Sequence, residues 1–245
     1  MGVDARLHGR STIGLVMGTT RFNVLTVVAL SLATPVWADY SSGLEAYKRG
    51  NYAVAAQEWR VLAEQGHAQA QVSLGWLHLH GRGVAQDSAL ARQLFEKAAV
   101  QGNMEAQYNL ARLYYSGQGG KQDHAQACLW YEKAALQGSA DAQVNLGTLY
   151  SNGLGCRKDD KEAVFWFLLA AKQGQGLAFM KLGSMYEDGR GVTQDYVQAY
   201  KWYSLGARHD EKTGGQLRDE LMKRMTPAQV AEAQRLMKEW MAGGP

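Results

Sequence analysis

A fourfold repeat with a period of 36 residues constrains this chain more than any other feature of its sequence. In each copy a candidate helix runs into a Gly-x-Gly loop, and the copies begin at Ala70, Ala106, Ala142 and Ala178. A fixed period between about 20 and 50 residues is typical of stacked supersecondary units that cannot bury their apolar faces alone. The repeat therefore predicts a solenoid.

Each repeat has the pattern of a helical hairpin. In the first helix, apolar residues recur at i, i+4, i+7 and i+8, as in Ala106, Leu110, Leu113 and Tyr114, which places them on one face. Three copies carry a glycine in mid-helix, which costs about 1 kcal/mol relative to alanine, and we expect a close helix approach to compensate. These glycines are Gly75, Gly147 and Gly183, with Ala111 in the remaining copy.

The second helix of each hairpin is predicted to begin after a recurring aspartate. Aspartate can accept the free amide hydrogens of a new helix, and a Gln or Glu three residues later indicates a capping box in three copies. The aspartates are Asp87, Asp123, Asp159 and Asp195, and the partners are Gln126, Glu162 and Gln198. An aromatic stripe on these helices, with Trp130, Trp166 and Trp202, predicts a packing surface. A Gln-Gly pair precedes each of the four repeats, whereas Asp210 replaces the closing glycine of the last one.

These patterns predict an all-α fold, an α/α solenoid of helical hairpins that forms a right-handed superhelix. We expect an N-terminal capping hairpin at 39–66 and C-terminal capping helices at 211–245, the last one opened by Thr226 as N-cap and Pro227 as first residue. The predicted repeats between the caps are 67–102, 103–138, 139–174 and 175–210.

The first 38 residues have the pattern of a secretory signal peptide. Arg6, Arg10 and Arg21 precede an apolar run over 24–33, and Val36 and Ala38 are small residues suited to cleavage after Ala38. A membrane anchor is the alternative, but the run is much shorter than the roughly 20 residues that span a bilayer. Because the segment is long for a signal, we expect Met17 to be the true start.

The charge of the mature chain argues against a nucleic-acid partner. The whole chain carries 26 Lys and Arg against 23 Asp and Glu, and the predicted signal holds three of the former and one of the latter. The mature chain is therefore nearly neutral and has no basic stripe with interleaved aromatic residues. Two cysteines, Cys128 and Cys156, remain; export permits a disulfide between them, and unpaired thiols are the alternative.

The repeated motif resembles the Sel-1-like repeat (SLR) family, relatives of the tetratricopeptide repeats. The resemblance rests on Ala-x-x-x-Leu-Gly-x-x-Tyr, then Gly-x-Gly, an aspartate, and Trp-Tyr-x-x-Ala-Ala, and it covers about residues 41–242. Departures include His78 in place of Tyr, and Gly120 and Cys156 where other copies have Val84 and Val192. The family implies a helical solenoid whose first helices line a concave side.

Patterns that carry enzyme chemistry are weak in this chain. His78 and His80 lie about 200° apart around a helix, so they do not share a metal from one face, and His78 occupies the core position of the repeat. Gly119-Gly120-Lys121 resembles a phosphate loop only faintly, because Gln122 replaces the Ser or Thr and a helix precedes it. We predict no catalytic, cofactor-binding or metal-binding residue and no cofactor.

The exposed surface of the first helices is the predicted binding site. By resemblance to tetratricopeptide grooves, three positions of the repeat are exposed on this surface, and the four residues at one position form a column along the solenoid. The columns are Val72, Tyr108, Val144, Met180; Ser73, Asn109, Asn145, Lys181; and Trp76, Arg112, Thr148, Ser184. Amides, Arg and Lys suit a peptide backbone or carboxylate, and aromatic side chains suit apolar anchors. The candidate partner-binding residues are Trp76, Tyr108, Asn109, Arg112, Asn145 and Lys181; ordinary solvated helix positions are the alternative for each.

We therefore expect an exported, non-enzymatic interaction scaffold, periplasmic in a diderm bacterium or otherwise secreted, that binds a protein or peptide. No nucleic-acid partner and no membrane span in the mature chain are expected. The alternative is an enzyme, because cysteine-rich relatives in the repeat family bind or hydrolyse β-lactams. Those relatives carry paired cysteines in every repeat, whereas this chain has two in total.

Overall fold

The structure, a computed structural model, describes residues 39–243. Within this range the chain is entirely helical, with twelve α-helices and one π-helical turn at Glu211–Gly215. The α-helices are α1 Tyr40–Lys48, α2 Tyr52–Glu64, α3 Ala68–His80, α4 Ser88–Val100, α5 Met104–Ser116, α6 His124–Leu136, α7 Ala140–Asn152, α8 Asp160–Lys172, α9 Gly176–Asp188, α10 Tyr196–Ala207, α11 Gln216–Met222 and α12 Pro227–Ala242.

Successive helices pack in pairs, and each pair packs on the next. The hairpins α3–α4, α5–α6, α7–α8 and α9–α10 are the four repeats, and α1–α2 forms a shorter hairpin before them. The predicted α/α solenoid is confirmed. The predicted signal peptide and Met17 lie outside the described residues. Among the helices of residues 39–243, none is long and apolar enough to cross a bilayer.

The four aspartates cap the second helices as predicted, but the predicted capping boxes are wrong. Each aspartate side chain accepts from the backbone N–H groups at the start of its helix. Its own backbone N–H, however, already donates to a carbonyl of the first helix, as Asp123 does to Tyr114 at 2.9 Å. Gln126, Glu162 and Gln198 therefore have no free N–H to accept. A reciprocal box forms only at Thr226 and Gln229 among the described helices.

The mid-helix glycines permit the close helix approach that we expected. A methyl group on Gly147 would lie 2.7 Å from the Phe167 ring of α8, and one on Gly183 would overlap the Tyr203 ring of α10. Such distances are shorter than any van der Waals contact, so only glycine lets the aromatic ring lie against the first helix. The glycines that precede the four repeats have positive φ angles, which glycine adopts at low cost; they are Gly66, Gly102, Gly138 and Gly174.

A ladder of buried glutamines joins the first repeats to one another and was not predicted. Gln107 is 5% exposed, and its side-chain N–H donates to the Ala99 carbonyl of the preceding repeat at 3.1 Å. Its oxygen accepts from Gln137 at 2.7 Å. Equivalent pairs of bonds are made by Gln71 and Gln143. Because both polar atoms of each amide are satisfied, these side chains are buried without the usual penalty.

The last repeat is joined to its cap by aromatic packing instead. Phe179 replaces the ladder glutamine, and its ring stacks on Trp202 at a centroid distance of 6.0 Å. Trp240 of α12 contacts the same indole edge-on at 4.9 Å. Trp202 is 2% exposed, so the predicted inward direction of this indole is confirmed. The C-terminal helix thus closes the apolar core of the solenoid.

Cys128 and Cys156 form a disulfide, which settles the alternatives that the sequence left open. Their Cα atoms are 6.0 Å apart, within the range that a bridge requires. Cys128 lies on α6 and Cys156 in the loop after α7, so the bridge fastens repeat 2 to repeat 3. The equivalent loop of repeat 4 is fastened without a bridge, because Arg190 pairs with Asp160 at 2.7 Å and donates to Ser151.

Candidate functional site

A cleft of about 300 Å³ opens on the first helices in the middle of the solenoid. We call it the central cleft. Six of the side chains that line it, from α5, α6 and α7, are Tyr108, Asn109, Arg112, Tyr115, Tyr131 and Asn145. Four of these six are residues that the sequence predicted as partner-binding, so the fold brings those four together.

One of the predicted exposed columns is interrupted at two positions, and the predictions for these two residues are wrong. Val72 is 1% exposed and Val144 is 3% exposed. Both belong to apolar clusters that include the alanine pair near the end of the second helix of the same repeat, such as Ala98 and Ala99 for Val72. A valine is short enough to pack there, whereas Tyr108 at the equivalent position is half-buried and lines the cleft.

Repeat 2, which contributes most of the residues that line the cleft, is also the copy that departs from the glycine pattern. Here Ala111 stands where Gly75, Gly147 and Gly183 let an aromatic ring lie against the first helix. The aromatic residue of this copy is Tyr131, whose ring lies 5.9 Å from Tyr108, centroid to centroid. Tyr131 is 3% exposed and lines the cleft. The sequence analysis treated Tyr131 as packing alone; the loss of glycine at position 111 was the feature that pointed to it.

One cation dominates the electrostatics of the central cleft. The Arg112 guanidinium lies over the Tyr108 ring, 5.8 Å from its centroid, and it is the single charged side chain among the residues that line the cleft. Burial, helped by Asp141, raises the pKa of Tyr108, while Arg112 and Asn145 oppose the shift. Burial also raises the pKa of Tyr131 far above its usual range. Both hydroxyls are therefore protonated and able to donate at neutral pH.

The amides of the cleft differ in how much of their hydrogen-bonding capacity is used. Asn109 donates to the Glu105 carbonyl of its own helix at 2.9 Å, which leaves its side-chain oxygen as an acceptor. Asn145 projects from the neighbouring helix α7 onto the same cleft. An asparagine pair on adjacent helices suits an extended peptide, which presents alternating N–H and C=O groups.

A second cleft, of about 220 Å³, lies at the N-terminal end of the solenoid and is aromatic. Tyr40 and Tyr47 of α1 line it together with Trp59 and Trp76. Trp76 stacks on His80 at a centroid distance of 4.1 Å, and the Arg82 guanidinium lies 4.8 Å from the indole centroid. Trp76 is thus placed apart from the other predicted residues, and Lys181 lines neither cleft.

The histidines that the sequence analysis considered have local roles. His78 is 8% exposed and its Nδ1 lies 3.2 Å from the Ala85 carbonyl oxygen. His80 makes a similar contact with the Trp76 carbonyl oxygen at 2.9 Å. Among residues 39–243, no three side chains of His, Cys, Asp or Glu lie close enough together to hold a metal ion.

Comparison with protein families identifies the repeat. The sequence profile of the Sel1 repeat matches residues 68–103, 105–139, 140–175 and 178–211, more than half of the chain. The chain belongs to the Sel1 repeat family. Sel1 repeats commonly mediate protein interactions and are generally non-enzymatic, and none of the comparisons supports the β-lactam alternative.

Solved structures of Sel1 repeat proteins resemble this one. A Sel1 repeat protein from Oxalobacter formigenes is 35% identical over 73% of this chain and 70% of its own, with a TM-score of 0.67. A protective antigen of uropathogenic Escherichia coli with an SLR fold is 28% identical over 82% and 59%, with a TM-score of 0.47. A Sel1 repeat protein from Klebsiella pneumoniae is 27% identical over 75% and 91%, with a TM-score of 0.48. No curated protein matches the chain.

Proposed function

We propose that this Sel1 repeat protein is an exported, non-enzymatic scaffold that binds a protein or peptide on the concave side formed by its first helices. The central cleft is the main contact site, and the aromatic N-terminal cleft provides a second one for an apolar anchor. In this arrangement the solenoid supplies a rigid surface, and the partner supplies an extended segment.

The observation that carries the proposal is the composition of the central cleft. Tyr108 and Tyr131 offer aromatic surface with hydroxyl donors, Arg112 offers a planar cation, and Asn145 offers an amide, all around one space of about 300 Å³. Tyr and Arg are enriched among the residues that dominate binding energy in protein interfaces. A cleft with these side chains and no metal-ligating cluster fits recognition better than catalysis.

Two further observations support export. The first 38 residues have the basic, apolar and small-residue segments of a signal peptide. Cys128 and Cys156, the two cysteines of the chain, are bridged. Disulfides persist in oxidising compartments such as the periplasm and are rare in the cytosol. We therefore place the binding event outside the cytoplasm.

A crosslinking pull-down from the envelope fraction of the source cells tests this function. The tagged wild-type chain is compared with the double variant Asn109→Ala/Arg112→Ala, and with Phe165→Ser as a matched control. Phe165 is 51% exposed on α8 and lies outside both clefts. We expect one specific partner to be lost from the double variant and kept by the control.

Two results would overturn the proposal. One is equal capture of the partner by the wild type and the double variant, which would move binding away from the central cleft. The other is hydrolysis of nitrocefin by the purified protein that a cleft variant abolishes, since this would make the cleft an active site.

A further inference from the structure

Repeats 2 and 4 carry tyrosine at the position where repeats 1 and 3 carry Phe95 and Phe167, and the two tyrosines have different partners. In repeat 4 the Tyr203 hydroxyl donates to Glu187 Oε2 at 2.8 Å. The other oxygen of that carboxylate pairs with the Arg224 guanidinium. Repeat 4 therefore holds a carboxylate of its own between a buried phenol and an arginine.

Repeat 2 also presents a phenol and a guanidinium, but it has no carboxylate, and its guanidinium is that of Arg112 on α5 and not one from the C-terminal cap. The residue equivalent to Glu187, two periods earlier, is Tyr115. The Tyr131 hydroxyl makes no hydrogen bond with residues 39–243, although 97% of the residue is buried and the side chain lines the central cleft. Arg112 takes part in none of the ion pairs among the described residues.

Charge complementarity indicates which kind of ligand the central cleft binds. The Tyr131 hydroxyl faces the cleft and is free to donate to a ligand, and a guanidinium binds a carboxylate more strongly than any neutral acceptor. Ser116 and Gln118 line the same space and are uncharged, so Arg112 carries the charge of the lining; the Asp141 carboxylate, which acts on Tyr108 from outside the lining, accepts a hydrogen bond from Gln175. The nearest analogue in this molecule, the Glu187 site, is occupied by a side-chain carboxylate.

From this juxtaposition we propose that the central cleft binds the side-chain carboxylate of an aspartate or glutamate in an extended segment of the partner. The Tyr131 hydroxyl donates to one oxygen, as Tyr203 does in repeat 4, and Arg112 pairs with the other. Asn109 and Asn145 bond to the backbone on either side of the acidic residue. This inference rests on the proposed function and specifies the chemistry of the partner at the same site.

Titration of the isotopically labelled protein with blocked amino acids, followed by NMR, tests the proposal. The probes are N-acetyl-glutamate N-methylamide, the matching glutamine compound, and N-acetylalanine, which carries only an α-carboxylate. We expect the glutamate probe to bind at least about tenfold more tightly than the other two, since the charge-assisted bonds are absent or misplaced for them. Arg112→Gln and Tyr131→Phe should each weaken it about tenfold, and Tyr203→Phe should leave it unchanged.

A variant that supplies the missing carboxylate from within the chain provides a second test. Its melting temperature can be measured even if the probes bind weakly. Tyr115→Glu places a carboxylate where repeat 4 has Glu187, so it should abolish binding of the glutamate probe and raise the melting temperature. Tyr115→Gln is the matched neutral variant, because it removes the same ring without adding a charge; it should bind the glutamate probe at least about tenfold more tightly than Tyr115→Glu and melt at a lower temperature. Because position 115 is 41% exposed, both variants are expected to fold.

The possible outcomes separate this proposal from the proposed function. Equal binding of the glutamate and glutamine probes, a preference for N-acetylalanine, or full binding by Tyr115→Glu would overturn the carboxylate site. If one of these occurs while Asn109→Ala/Arg112→Ala still loses the captured partner, the scaffold function stands and only the partner chemistry is wrong. Binding of the glutamate probe without any cleft-dependent partner would overturn the scaffold function instead.

Discussion

Repeats 2 and 4 share a period and a buried tyrosine, yet one is open and the other is closed. In repeat 4, Gly183 lets the Tyr203 ring lie against the first helix, and Glu187 engages its hydroxyl. In repeat 2, Ala111 stands where that glycine would be, and the Tyr131 hydroxyl lines an open cleft. A repeat protein thus acquires a site by departing from its own pattern at very few positions.

The ends of the molecule reinforce this difference. Repeat 4 is covered by the C-terminal cap, which contributes Arg224 to the Glu187 carboxylate and Trp240 to the Trp202 indole. Repeat 2 lies between two other repeats, joined to them by the glutamine ladder and, on one side, by the disulfide. Closure therefore belongs to the C-terminal end of the stack, whereas the central cleft lies in its middle and the N-terminal end has a cleft of its own.

The largest expected loss of stability comes from removing the disulfide that connects repeat 2 to repeat 3. The disulfide closes a loop with a sequence separation of 28, and the chain-entropy model assigns such a loop about 3 kcal/mol of stability. We expect Cys128→Ala/Cys156→Ala to lower the free energy of unfolding by about this amount, measured by urea denaturation. Breaking the Arg190–Asp160 pair of repeat 4 with Arg190→Ala should cost less, because both side chains are partly exposed. A larger loss of stability in Arg190→Ala than in Cys128→Ala/Cys156→Ala would contradict this comparison of the two connections between repeats.

The next difference in stability between repeats 2 and 4 should come from substituting the mid-helix residue, which is Ala111 or Gly183. Gly183→Ala puts a methyl group into the Tyr203 ring, and such overpacking costs about 2 kcal/mol. Ala111→Gly meets no such obstacle and should cost the helix propensity plus one buried methyl group, about 1 to 2 kcal/mol together, because Ala111 is fully buried. Thermal unfolding followed by circular dichroism checks both values. A gain of stability in Gly183→Ala, which the helix propensity alone would give, would contradict the close approach of the ring in repeat 4.

Removing the buried tyrosine hydroxyl from repeat 2 or from repeat 4 should give a smaller difference in stability. Tyr203→Phe deletes a hydrogen bond to a carboxylate and leaves Glu187 with one partner fewer, at a cost of about 1.5 kcal/mol. Tyr131→Phe removes a hydroxyl that has no partner within residues 39–243, so stability should stay within about 0.5 kcal/mol of the wild type. A large loss in Tyr131→Phe would show that this hydroxyl is satisfied in the free protein.

The last expected effect depends on pH and concerns a lysine that the C-terminal cap covers. Lys201 is 8% exposed beneath Trp202 and Trp240, and burial lowers its pKa to about 8. Between pH 8 and about 9.5 the unfolded state binds more protons than the folded state, so stability should rise with pH. In Lys201→Met this rise should disappear. Its exposed equivalent in repeat 2 is Leu129, and Leu129→Lys should introduce no such pH dependence.

Much of the fold was predictable because it depends on local patterns. The period, the apolar positions, the aspartate caps and the Thr226 capping box follow from spacing along one helix or between neighbours in sequence. The burial of Val72 and Val144 was not, since it depends on the small residues that face them from another helix. The glutamine ladder was missed because polar side chains are usually exposed, and only the structure shows that both amide atoms are satisfied.

The candidate site was predictable in part for the same reason. Tyr108, Asn109, Arg112 and Asn145 share columns of the repeat, so periodicity placed them on one surface. Lys181 belongs to the same column as Asn109, but it lines neither cleft. Tyr131 was not assigned to the site, because its role depends on the distance between two helices, which the residue at position 111 controls across the hairpin.

Site-specific photocrosslinking in the source cells tests the central claim, that the open repeat is the surface that a partner occupies. A benzophenone amino acid replaces either Gln118, which lines the central cleft, or Phe165, which is exposed on α8, the second helix of repeat 3. We predict an adduct with one partner protein from position 118 that disappears when Arg112→Gln is added, and none from position 165. An adduct from position 165, or one from position 118 that survives Arg112→Gln, would contradict it.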